Sequence, residues 1–135
     1  MRMIFVNMPV KNLARSRAFF DGLGFSFNEQ FSNESGACMV IEENIFAMLL
    51  TEPFFDTFLT QPMSDAHKAT EVLTCLSAAS RAEVDRTADK ALAGGAKSWR
   101  DPQDHGWMFS RSFQDLDGHV WELAFMDASA LPGQP

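Results

Sequence analysis

The sequence predicts an α+β fold built from two tandem βαβββ modules. Three observations carry that prediction. The order strand, helix, three strands occurs twice at an offset of roughly 70 residues. Each helix opens on a capping residue and closes on glycine. Clusters of turn-forming residues separate the strands at short intervals.

The first module spans about residues 3–51 and opens with "RMIFVNMPV". Ile4, Val6, Met8 and Val10 alternate onto one face and Phe5 and Asn7 onto the other, as a half-buried strand requires. In "KNLARSRAFFDGLGF" Asn12 is placed to cap a short helix carrying Leu13, Ala14, Phe19 and Phe20, which Gly22 and Gly24 end. "FSFNEQF", "ACMVIEE" and "IFAMLLT" then read as strands, with "SNESG" and "EEN" as turns.

The second module, about 70–127, repeats the order. "TEVLTCLSA" is a strand. "SRAEVDRTADKALAGG" is a helix whose capping box pairs Ser80 with Glu83, whose apolar stripe is Val84, Ala88, Ala91 and Leu92, and whose stop is Gly94 or Gly95. "AKSWRD", "GWMFSRSFQ" and, after the "DLDG" turn, "HVWELAFMD" complete it. The connecting segment 52–69 is longer than most loops, and Phe54, Phe55, Phe58 and Leu59 suit one turn of amphipathic helix docked on the body. The Pro- and Gly-containing tail 128–135 is expected to fray. At 135 residues the whole of 1–135 is sized as a single domain.

Composition narrows the function classes. A formal net charge of −7 repels phosphate backbones and argues against nucleic acid as a partner. No run of 18 or more apolar residues exists to span a membrane, and the N-terminus lacks a cleavage site of small residues, so the expected compartment is the cytoplasm. Thirteen Phe and eight Met without any Tyr suggest large apolar surfaces lining a core, a pocket or a subunit interface. Cys38 and Cys75 match no metal or redox spacing and read most simply as buried free thiols, with a disulfide between them as the alternative.

Two stretches resemble the vicinal oxygen chelate superfamily, which includes glyoxalase I, extradiol dioxygenases and the fosfomycin- and bleomycin-resistance proteins. "FVNMPVKNLARSRAFFDGLGFSF" resembles its opening pattern, and "FQDLDGHVWELAF" resembles its closing pattern of F-x-D-P-D-G-[HN]-x-W-E. The resemblance runs from Met3 to Met126 and is nearest to bacterial proteins of lactoylglutathione lyase type. It implies curved sheets around a cup-shaped cavity, and metal ligands on the first and last strands of each module. Of the four positions so implied, Glu122 carries a donor, whereas Phe5, Leu73 and Met48 (or Ala47) do not. A register shift of two residues offers Asn7 and Cys75, a poor set for such an ion. No two histidines have ligand spacing: His67 lies in the connecting segment, His105 after a turn, and His119 three residues from Glu122, hence on the opposite face of a strand.

No cofactor is therefore expected, with a divalent metal as the alternative. The expected function is binding of a small organic ligand in an apolar cavity, with Phe5, Leu73, Met48, Cys75 and Trp107 as contact surface and Asn7, Arg111 and Glu122 as polar anchors. Glu122 is open to three roles: an ion pair at the cavity rim, a ligand contact, or a catalytic base. The alternatives are a metal-dependent lyase or isomerase of lactoylglutathione lyase type and an antibiotic-sequestering protein. The resemblance also implies a homodimer.

Overall fold

A computed structural model describes residues 1–132. Two compact units, Met1–Ser64 and Asp65–Pro135, divide the chain within the connecting segment. Each unit has one mixed sheet and one principal helix, and neither sheet closes into a barrel.

In the first unit, strand β1 (Ile4–Val10) is followed by helix α1 (Leu13–Gly22) and strands β2 (Ser26–Asn33), β3 (Gly36–Glu42) and β4 (Ile45–Thr51). The sheet order is β1-β4-β3-β2, with β1 parallel to β4 and the other pairs antiparallel. The Asn12 side chain caps α1 by accepting from the Arg15 amide at 3.0 Å, and Gly24 takes the left-handed conformation (φ +102°) beyond the helix end. Leu13, Phe19 and Phe20 bury the helix's apolar face, together with Met8 and Val10 of β1. The expected alternation of β1 fades at its start, where Ile4 is exposed. As an edge strand, β1 has a neighbour on one side only.

The connecting segment forms a short helix, α2 (Glu52–Asp56), with no buried residue. Its docking is weaker than the sequence suggests. Phe54 and Phe58 pair edge to face at 5.1 Å but both stay exposed.

In the second unit, strand β5 (Leu73–Ser77) leads into helix α3 (Arg81–Ala93), and strands β8 (Met108–Gln114) and β9 (Val120–Met126) close the unit. Between them the expected "AKSWRD" strand is reduced to β6 (Lys97–Ser98), and a second fragment beyond that stretch, β7 (Gln103–Asp104), pairs with β8 nearer its other end. The order β5-β9-β8-β6 repeats the topology of the first sheet, again with first and last strands parallel. Duplication is thus visible in the strand order, which weak residue similarity between the halves only hints at.

The Ser80 hydroxyl caps α3 by accepting from the Glu83 amide at 3.1 Å, and the Glu83 carboxylate reciprocates at the amide of Ala79. Ser80→Ala is expected to lower stability by about 1 kcal/mol, measured as a lower urea midpoint with unchanged slope. Val84, Ala88 and Ala91 are buried, whereas Leu92, expected in the same stripe, lies 37% exposed. One residue beyond Ala91, it is turned about 100° around the helix axis. A 3₁₀ turn, Ala128–Ala130, follows β9. The last part of the tail, 133–135, where fraying was expected, lies outside the described residues. Among the described residues no helix is long and apolar enough to cross a membrane.

Candidate functional site on the second sheet

Alternation along β8 and β9 gives the second sheet two chemically different faces. Trp121 and Phe113, both buried, alternate onto the side where α3 supplies Val84, Ala88 and Ala91. Arg111 belongs to this side too. Its register partner is Leu123, and its guanidinium lies between Asp85 at 3.0 Å and Asp89 at 2.8 Å, one turn apart on α3. The expectation that Arg111 shares a pocket with Glu122 is therefore corrected, because an odd separation in register places the two on opposite faces.

On the other face, Cys75, Glu122 and Ser112 form one row across β5, β9 and β8. Leu73 stands next along β5, opposite Val120. The Glu122 side chain is 12% exposed and makes a single ion pair, at 3.3 Å, with Arg100, whose own side chain is 52% exposed. Arg100 comes from the connection between β6 and β7, beyond β8. Ser112 is 7% exposed, and its hydroxyl has no hydrogen-bond partner. Cys75, expected buried, is exposed, since β5 is the sheet's edge strand. Partial desolvation of its thiol where it rests on the sheet and the Glu122 charge both push its pKa up, so it stays a protonated thiol at neutral pH.

The remaining expected residues stand on or beside other strands. Phe5, Asn7 and Met48 share one face of the first unit's sheet, where Phe5 stacks on Phe46 at 4.8 Å and Asn7 pairs in register with Met48. Trp107 stacks on His105 at 6.3 Å just before β8. Five residues of strand, roughly 17 Å, separate it from the Ser112 row. His67 and His105 are exposed, and His119 closes the turn before β9, where its amide donates to Asp115. Arg100 and Ser112 were missed in the sequence. Ser112 was legible, because the five-residue turn between paired Gln114 and Val120 sets it opposite Glu122. No pattern marked Arg100.

The donor set does not fit the metal site that the resemblance implies. Among the described residues no three His, Cys, Asp or Glu side chains come together in a way that could hold a metal ion. Glu122 has Cys75 beside it in register, and Leu73 and Val120 next along the strands.

The family model of the glyoxalase/bleomycin resistance protein/dioxygenase superfamily matches residues 2–123. The chain belongs to this superfamily. Solved structures agree with it in fold. A hypothetical protein from S. aureus superposes with a TM-score of 0.79 at 22% identity, covering 93% of this chain and 94% of that one. A glyoxalase/bleomycin resistance protein/dioxygenase family enzyme from Burkholderia phytofirmans gives 0.77 at 13% identity, covering 93% and 99%. The fosfomycin resistance protein FosX from Listeria monocytogenes gives 0.68 at 17%, covering 96% of each chain. At these identities the likeness concerns the glyoxalase-type fold alone. No curated protein matches the chain.

Proposed function

We propose that this superfamily member binds a small organic ligand on the Glu122 face of its second sheet, without the family's full set of metal ligands. One observation carries the reading. A nearly buried carboxylate and a buried, unpartnered hydroxyl stand side by side on a sheet face, and the ion pair beside them is long and single. Natural interiors rarely leave such a hydroxyl unpaired, and a missing partner is a common reason for one. Apolar Leu73 and Val120 flank the row and supply contact surface.

Two measurements test this. Calorimetric titration with Ni, Zn, Mn and Fe(II) is expected to give no stoichiometric binding. Stoichiometric uptake that disappears in Glu122→Ala would restore the metal-dependent lyase reading. An NMR screen of small organic fragments is expected to move the amides of Cys75, Ser112 and Glu122. Fragments that bind only at other surfaces would defeat the proposal.

A further inference from the structure

We infer that the ligand of this face is a cation bearing N–H donors, an amidinium or primary ammonium, and that it binds by displacing Arg100 from Glu122. The inference rests on reading the Glu122 face as a ligand site and adds the chemical class of what enters it.

The site already holds a cationic donor of this kind in its own chain. The Arg100 guanidinium sits 3.3 Å from Glu122 Oε2. The fit is poor by the standards of that pair, which often meets through two parallel charge-assisted bonds of about 2.7–2.9 Å. Arg100 makes one bond, at longer distance, from an exposed position. Such a half-exposed, singly bonded pair is weak, so a competitor has little to overcome. Glu122 is different. With a side chain 12% exposed, its charge is shielded from solvent and gains more from a close partner.

Ser112 supplies the second observation. Its hydroxyl is shut off from solvent without a hydrogen-bond partner, in register with Glu122. The Arg100 guanidinium bonds Glu122 and leaves this hydroxyl unpaired. A ligand with two or more N–H groups on one charged centre satisfies both acceptors at once: the carboxylate oxygen and the Ser112 oxygen lie across one strand pair, roughly 5 Å apart at Cβ. An amidinium or ammonium has that donor set and no acceptor. An anion is disfavoured, because it would meet Glu122 on entry, on a chain of net charge −7.

Benzamidinium, benzamide and benzoate share one ring and differ in charge, so they isolate the charge requirement. Each is titrated into the full chain, following the amides of Cys75, Ser112 and Glu122 by NMR. Benzamidinium is expected to bind, and benzamide and benzoate more weakly by about tenfold or more. Arg100→Met, which keeps the length and removes the charge, is expected to tighten benzamidinium by about threefold to fivefold. Glu122→Gln is expected to weaken it by about tenfold or more, with the variant's unperturbed amide spectrum showing that the fold is kept. Equal binding of benzamide, preference for benzoate, or weaker binding in Arg100→Met would overturn the cation assignment while the ligand face stands. Absence of any shift at the three amides with all three probes would overturn both.

Discussion

Asp115→Ala is expected to lower stability by about 3–5 kcal/mol, a large part of what a domain of this size has. Asp115 is 6% exposed and holds the turn before β9 together. One carboxylate oxygen accepts from the amides of Asp117 at 2.9 Å and His119 at 3.0 Å, and the other accepts from the Trp121 indole at 2.9 Å. Alanine leaves the indole N–H, on a ring 1% exposed, without its acceptor. Asp115→Asn is expected to cost about 2 kcal/mol, because the amide keeps one acceptor oxygen and turns N–H donors on other donors. Urea denaturation followed by Trp fluorescence checks both, and a loss below about 1 kcal/mol in the alanine variant would refute the role.

The same carboxylate predicts a pH effect. Burial pushes the Asp115 carboxyl above its usual range, against the pull of the His119 charge, the Trp121 hydrogen bond and the two amides. A group raised in the folded state stabilises fully below its unfolded pKa and loses that contribution as pH rises through the folded value. Moving from neutral towards mildly acid pH should therefore stabilise the wild type relative to Asp115→Asn.

Gly118→Ala is expected to cost about 3 kcal/mol or more. Gly118 has φ +90°, and a Cβ there would lie 2.7 Å from the His67 nitrogen and 2.8 Å from the Ala66 carbonyl carbon. Both contacts are backbone, so no side chain can rotate away, and strain adds to overlap. The approach is close because the segment before β5 lies on this turn, where the Gln114 side chain also donates to Gly118 O at 3.1 Å. Gly106 provides the control. It too has positive φ (+79°), but nothing lies within 4 Å of its Cβ position, so Gly106→Ala is expected to cost only about 1 kcal/mol. Equal losses in the two variants would show that the contact with the 65–69 segment contributes nothing.

Local rules explain what was legible in the sequence. Asn12 and the Ser80–Glu83 pair announce helix starts through chemistry confined to four residues. The alternation in "HVWELAF" separates Trp121 from Glu122 for the same reason. Arg111 was misplaced because nearness in sequence was weighed above register. With Gln114 and Val120 paired, residues whose numbers sum as theirs do stand opposite, and Ser112 fits where Arg111 does not. Arg100 was beyond reach of any pattern. Its segment has only two residues of ladder at each end, so neither period nor turn chemistry fixes its course.

That interrupted edge has a kinetic consequence. Between Ser98 and Gln103 the chain has no ladder register with β8, and the Trp99 amide reaches Ser112 O at a stretched 3.4 Å. At one end Arg81 pins the segment through two bonds to Asp104, at 2.9 and 2.8 Å, and lies over the Phe109 ring. Amide hydrogens of residues 99–101 should accordingly exchange with solvent through small local openings, orders of magnitude faster than those of β9. Since Arg100 rides on this stretch, guest entry can proceed at the pace of a loop fluctuation, while the buried layer beneath Trp121 stays shut.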